Sequence, residues 1–165
     1  MATSDLADAL GRRPGQPQKR VLAISSSGGH FTQLMRLSVA LSGHDVTWVT
    51  TNEGYRDKAP PGSFHAVRDA SLWDKKGLVV MLAQITKLVL TLRPDVVLST
   101  GAAPGYFAIR VGNAVGARSV WVDSIANAEQ MSLSGQRVGR YADLWLTQWE
   151  HLAQPDGPHY CGSVL

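Results

Sequence analysis

Short apolar runs, several rich in β-branched residues, recur along the chain and predict strands at 21–24, 45–50, 95–99, 118–122 and 144–147. Weaker ones fall at 63–67 and from 160 onward. Between them the apolar period changes to that of a helix. Leu34, Leu37 and Leu41 recur at helical spacing after His30, and Gly43 is a natural stop. Residues 77–92 form a strongly apolar helical stretch, and another helix, with Pro104 in its first turn, runs to about Ala114. A polar segment at 123–140 is expected to be partly helical. Strands interleaved with helices predict an α/β fold, a Rossmann-like parallel sheet with helices on both faces.

Two glycine turns stand out against this pattern. Ser25-Ser26-Ser27-Gly28-Gly29-His30 separates the first strand from its helix, and Thr100-Gly101-Ala102-Ala103-Pro104-Gly105 follows the strand at 95–99. A strand, a glycine turn and a helix in that order leave unpaired N–H groups at a helix N-terminus, where the helix dipole also favours anions such as phosphate. An ordinary strand-to-helix turn has the same pattern. In a doubly wound sheet, however, the first and fourth strands flank the reversal of strand order. Both turns then open over one crevice, and Asp123 leaves the next strand toward it. The spacing is not G-x-G-x-x-G, and no acidic residue ends the second strand, which counts against a dinucleotide site.

At 165 residues the chain is expected to be one domain at 20–165, preceded by a flexible tail at 1–19. Its formal charge of +3 and pI near 9.2 are mildly basic. The cations lie in scattered pairs without interleaved aromatics, which excludes nucleic acid as a first reading but suits an anionic lipid surface or a diphosphate. Cys161 is the only cysteine, so no internal disulfide and no cysteine metal motif exists, and a small buried hydrophobe is its expected role. No metal or other cofactor is called for. Asp5 and Asp8 interrupt any secretory signal, which gives a cytoplasmic expectation.

The helix at 77–92 is too short to span a bilayer comfortably. Leu78, Met81, Leu82, Ile85, Val89 and Leu92 form a core stripe, while Val79, Val80 and Leu90 lie off it. The pattern favours burial on most sides; contact of the outer surface with lipid is the alternative. Trp73, Lys75 and Lys76, just before it, combine an interfacial aromatic with cations, as a membrane contact would. Trp48, Trp121 and Trp145 lie on strands and are expected in the core; Trp149, in a loop, has no such explanation.

The segment Val120-Trp121-Val122-Asp123-Ser124-Ile125-Ala126-Asn127, continued by Ser132-Leu133-Ser134-Gly135, is distinctive. Together with Tyr141-Ala142-Asp143-Leu144, Leu146-Thr147-Gln148-Trp149, Ser27-Gly28-Gly29-His30, Pro94-Asp95 and Tyr160-Cys161-Gly162, it resembles the asparagine-linked glycosylation 14 family over about residues 20–165. The resemblance implies the N-terminal half of a GT-B glycosyltransferase, acting as acceptor-binding subunit. It also implies a partner of the asparagine-linked glycosylation 13 type that holds the nucleotide sugar. Eukaryotic members usually begin with a membrane helix, carry glutamate at the place of Asp123 and an acid at that of Gln33; Asp-Ser-Ile-Ala-Asn looks like the bacterial branch, which acts in exopolysaccharide or capsule assembly. The chain ends at Leu165, about where the linker of a fused enzyme would begin.

The expected activity is inverting transfer of a sugar from a UDP-sugar (N-acetylglucosamine in the eukaryotic relatives) to a polyprenyl-diphosphate-linked saccharide. It would occur on the inner face of the cell membrane, to which the chain binds peripherally. Ser27, Gly28 and Gly29 would hold the acceptor diphosphate, and Gly101 and Gly105 would extend that surface. His30 and Asp123 are the candidate bases, unranked; a turn histidine and a helix-cap aspartate are the structural alternatives. Asn127, Glu129 and Ser134 would contact acceptor sugar or cap a helix. The rival functions are a non-catalytic membrane tether of a glycosyltransferase and a stand-alone nucleotide-binding domain.

Overall fold

The computed structural model describes residues 17–164. Most of the expected tail at 1–19 therefore lies outside the described residues. Among the described residues seven strands form one wholly parallel sheet: β1 (Arg20–Ile24), β2 (Asp45–Thr50), β3 (Ser63–Ala66), β4 (Val96–Ser99), β5 (Arg118–Val122), β6 (Leu144–Thr147) and β7 (His159–Tyr160). Their order is β3-β2-β1-β4-β5-β6-β7, with the reversal between β1 and β4 as the doubly wound pattern predicts.

Side chains alternate across the pleat, so each inner strand feeds two cores. Val21, Ala23, Val46, Trp48, Leu98 and Val120 face one layer. It is closed by Phe31 and Leu34 of helix α1 (Gly29–Arg36) and by Leu37 and Leu41 of the 3-10 turn that follows. Leu22, Ile24, Val49, Val97 and Trp121 face the other, packed under helices α2 (Lys75–Leu92), α3 (Ala102–Ala114) and α4 (Leu133–Val138). Burial on both faces is why these strands read as apolar runs rather than as an alternating pattern.

Several boundaries differ from the sequence reading. The helix after His30 is α-helical only to Arg36 and tightens to 3-10 through Leu41, still burying all three leucines, before Gly43 turns with φ 83°. Helix α2 starts two residues early, at Lys75, because Asp74 caps it by accepting the Gly77 N–H at 2.8 Å. Its buried face is Gly77, Met81, Ile85 and Val89; Leu78 and Leu92 are half-buried and Leu82 is exposed. Among the described residues the sheet and α3 cover one face, against the expectation of burial on most sides. Val79 (66% exposed), Val80 and Leu90 (54%) face outward, with Trp73 (93%) just ahead of them. Among the described residues no helix is long and apolar enough to cross a membrane. Trp48 and Trp121 are core residues as expected; Trp145 is half-buried against Gly139 and Gly157, and Cys161 is half-buried against the first core layer.

At the lower edge of the sheet Asp95 accepts the Arg20 N–H at 2.8 Å and a guanidinium N–H at 3.2 Å, tying the starts of β1 and β4 together. These hydrogen bonds hold its carboxyl below the ordinary 3.8.

Gly105 lies where α3 meets the sheet. A Cβ there would come within 1.8 Å of Ser99 Oγ and 3.2 Å of the Trp121 ring. Gly105→Ala is expected to destabilise the fold by about 1–3 kcal/mol through overpacking. Thermal unfolding would register this as a fall in Tm, and an unchanged Tm would refute the close approach.

Candidate functional site

Pairing of Ile24 with Val49 on one side and Ser99 on the other brings the carboxyl ends of β1, β2 and β4 together. The first glycine turn leaves β1 at this end and the second leaves β4 beside it. Gly28 adopts φ 70°, a conformation that glycine takes without strain. A Cβ at Gly28 or Gly29 would meet nothing within 4 Å, so the space above the turn is open. Ser27 N–H is taken by Thr51 Oγ1 at 3.1 Å and Gly28 N–H by Tyr55 Oη at 3.1 Å. Thr32 N–H closes the helix on Gly28 O, and among the described residues no acceptor meets the N–H groups of Gly29, His30 and Phe31. Three donors thus remain at the positive end of α1.

His30 joins the two turns. Its Nδ1 lies 3.0 Å from Thr100 O, and Thr100 Oγ1 donates to His30 O at 2.7 Å. A carbonyl only accepts, so Nδ1 carries the proton and Nε2 keeps the lone pair in the neutral ring. The imidazole lies on Gly101, where a Cβ would come within 2.5 Å of Nδ1. Gly101 (φ 138°) and Ala102 (φ 65°) bend the chain around the ring.

Beside His30 is a cavity of about 180 Å³, lined also by Ala102, Ser124, Ala126, Asn127, Ser132, Leu133 and Ser134. Its far wall, the loop after β5, is held at several points. Gln33 of α1, buried one turn beyond Gly29, donates to Ser124 Oγ at 2.9 Å and Gly29 O at 3.2 Å while accepting the Ile125 N–H at 3.1 Å. Gln148 after β6 donates to Gln33 Oε1 and, at 2.8 Å, to Asp123 O. Trp149 Nε1 donates to Ile125 O at 2.8 Å, which accounts for a tryptophan the sequence left unexplained. His151 contacts Ala128 O at 2.7 Å.

The predicted site residues thus divide. Ser27, Gly28, Gly29, His30 and Gly101 form the paired turns, but the Ser27 and Gly28 N–H groups are already taken and Gly101 is buried under the His30 ring, which corrects the places of these three as direct ligand contacts; Asn127 and Ser134 line the cavity with His30. Gly105 is buried against Ser99 and Trp121 and presents no surface to a ligand, which corrects its place among the binding residues. Glu129 is exposed and does not line the cavity. Asp123 does not face open space. Its side chain is 1% exposed and accepts four hydrogen bonds: Trp121 Nε1 at 3.0 Å, Ser132 N at 2.8 Å, Asn127 Nδ2 at 3.2 Å and Ser132 Oγ. Ser132 in turn caps α4 through the Gly135 N–H at 2.9 Å. Trp73, Lys75 and Lys76 do not line the cavity and are exposed at the start of α2. Among the described residues no group of three or more His, Cys, Asp or Glu is placed to hold a metal ion.

Sequence reasoning gave no role to Tyr55 and none in the site to Gln33, Gln148 or Thr100, although Gln33 was noted where relatives carry an acid and the other two fell within motifs. A buried glutamine network has no periodic signature, and only the position of Gln33, four residues after Gly29, hinted at a shared helix face.

Asp123→Asn would place an amide NH₂ against donors that need an acceptor. We expect a loss of about 1–3 kcal/mol in stability, measured by denaturant unfolding. An unaltered midpoint would show that the carboxylate is not the clamp of this loop.

No protein-family model matches the chain, and no curated protein matches it in sequence. Solved structures do match in fold. MurG of Acinetobacter baumannii superposes with a TM-score of 0.68 at 11% identity, over 86% of this chain and 44% of that one. UDP-N-acetylglucosamine 2-epimerase of Rickettsia bellii gives 0.63 at 14% identity, over 82% and 40%. A putative UDP-N-acetylglucosamine 2-epimerase of Listeria monocytogenes gives 0.62 at 14%, over 81% and 40%. The chain spans less than half the length of these structures, and at such identities the likeness is one of fold: an α/β domain matching half of a GT-B-like enzyme.

Proposed function

We propose that the chain is the acceptor-binding half of a two-subunit inverting glycosyltransferase. A UDP-sugar held by a partner subunit of the asparagine-linked glycosylation 13 type gives its sugar to a polyprenyl-diphosphate-linked saccharide. The observation that carries this reading is the His30 ring clamped between two glycine turns at the reversal of the sheet. Three free N–H groups lie at the start of the same helix, and the residue also lines a polar cavity. Diphosphate on the α1 N-terminus and acceptor sugar in the cavity would bring a sugar hydroxyl to the ring.

In this reading His30 is the base. Its Nδ1–H is anchored on Thr100 O, so Nε2 takes the proton of the acceptor hydroxyl as that oxygen bonds to the anomeric carbon. The bond from that carbon to UDP breaks on the opposite face, and UDP leaves with the electron pair. Asn127 and Ser134 contact the acceptor sugar. Asp123, with its lone pairs engaged by four donors, positions the cavity wall rather than moving a proton.

Topology also supports a membrane contact. All strands are parallel, so the segment after β3 leaves the sheet at the same end as the glycine turns. Trp73, Lys75 and Lys76 therefore flank the crevice end. Val79 and Leu90 continue an apolar outer face along α2, with Lys76 and Lys87 exposed on the same helix. We assign this face to an anionic membrane surface, bound peripherally.

The decisive test is transfer of radiolabelled sugar from a panel of UDP-sugars into membrane lipid extract by this chain, by the candidate partner, and by both. Label only with both is expected; label with the partner alone would reduce this chain to a tether. In the active pair His30→Ala should lower transfer by about 10²–10⁴-fold while lipid acceptor is still retained, checked by rate and by co-sedimentation. For the membrane face, Trp73→Ala combined with Lys75→Glu and Lys76→Glu should abolish flotation with phosphatidylglycerol vesicles and leave Tm unchanged. Undiminished flotation would place the contact elsewhere.

A further inference from the structure

Tyr55 lies on the connection between β2 and β3, in a 3-10 turn spanning Glu53–Lys58 that had no place in the sequence argument. Asn52 caps that turn by accepting the Gly54 N–H at 2.9 Å, and Glu53 pairs with Arg56 at 2.6 Å, so its carboxylate is engaged within the turn. The Tyr55 ring stacks on Phe31 of α1, with centroids 4.5 Å apart and planes at 11°. Phe31 is itself buried, so the phenol is fixed relative to the start of the helix. Its oxygen accepts the Gly28 N–H at 3.1 Å. Lys58 Nζ lies 5.3 Å from the centroid of the same ring and adds positive charge beside it.

A phenol that accepts one hydrogen bond still has a proton to give. Among the described residues nothing accepts it, and the turn beneath is exposed with open space over Gly28 and Gly29. The donors nearest in sequence are the three free N–H groups of Gly29, His30 and Phe31. We propose that Tyr55 is a ligand-contacting residue of the anion site: its oxygen holds the Gly28 N–H while its proton is donated to a diphosphate oxygen seated on the first turn of α1. This rests on the reading of that turn as the diphosphate site and adds to it a side chain from another element of the fold. A hydroxyl held by a stacked ring is a donor of defined direction, which a flexible lysine would not supply. Its place beside the helix terminus favours an anion with two phosphoryl groups over one with a single group.

The test is titration of the full chain with inorganic pyrophosphate and, separately, orthophosphate. Amide shifts are followed by NMR together with a ¹³Cζ label on tyrosine. In the wild-type chain the largest shifts are expected at Gly28–Phe31, the Tyr55 ¹³Cζ signal should move with the same saturation, and pyrophosphate should bind more tightly than orthophosphate. Tyr55→Phe, with Tm measured alongside, should weaken pyrophosphate by about tenfold or more, as loss of a hydrogen bond to a charged group does, and orthophosphate less. Wild-type binding at the turn with an unmoved Tyr55 signal, or equal affinity in Tyr55→Phe, would overturn the role of Tyr55 and leave the anion site standing. No shift at Gly28–Phe31 with either anion would overturn the diphosphate reading and the role of Tyr55 with it. The label in the wild-type chain decides the matter even if Tyr55→Phe does not fold.

Discussion

The crevice depends on the reciprocal pair of hydrogen bonds between His30 and Thr100. β1 and β4 diverge into helices on opposite faces of the sheet at this point, so the ladder cannot hold their turns together. A buried carbonyl and a hydroxyl on one turn find matching partners in the ring and backbone of the other, and neither end is left unpaired. The cost is a glycine at 101, because the ring lies where a side chain would be, and an alanine at 102 in the left-handed region. A strained backbone held by two side chain-to-backbone bonds is an arrangement in which an imidazole keeps one tautomer and one orientation.

The second constraint is the loop after β5. Five backbone or side-chain groups of residues 123–128 are met by Gln33, Gln148, Trp149 and His151, from α1 and from the connection after β6. Asp123 fastens the same loop from beneath through Trp121, Asn127 and Ser132. Such a network favours one conformation only when every member is satisfied, and here each carboxylate and carboxamide oxygen of Asp123, Gln33 and Gln148 has a donor. The Val164 N–H, on Gln148 Oε1 at 2.8 Å, and its carbonyl, on Arg36 at 2.8 Å, join the end of the described chain to this network. A cavity wall made of loop is thereby as fixed as one made of strand.

The sheet was legible in the sequence because parallel strands buried on both faces leave unbroken apolar runs, and glycines mark the turns between them. The alternation with helices suggested a doubly wound sheet, in which the first and fourth strands meet at the reversal; the full strand order came from the structure. What stayed hidden was decided by tertiary contact. Whether Asp123 pointed into the crevice or under the loop depended on the indole of Trp121, two residues earlier on a strand, reaching around to it. Gly101 and Gly105 look alike in sequence, yet one cradles the His30 ring and the other lets α3 approach Ser99. Helix α2 was read as buried on most sides because its apolar residues exceed one face, but among the described residues the sheet and α3 pack on its buried face and Val79 and Leu90 remain exposed.

The parallel sheet also explains why different chemistries collect at one end. Every strand delivers its carboxyl terminus to the same rim, so the connections after β1, β2, β3, β4 and β5 all begin there. Along the rim these supply an exposed tryptophan and two lysines, a turn with free amide donors beside a phenol, an imidazole, and a cavity lined by serine and asparagine. A lipid-linked diphosphate sugar has the same succession of parts: a hydrocarbon chain, two phosphates and a polyol. In the proposed reading the match is one of order as well as of chemistry, since His30 is shared by the anion turn and the cavity and lies where phosphate gives way to sugar. A dinucleotide site of the doubly wound kind would carry an acidic residue at the end of β2 for the ribose. That strand ends instead in Thr50, and Thr51 just beyond it holds the Ser27 N–H.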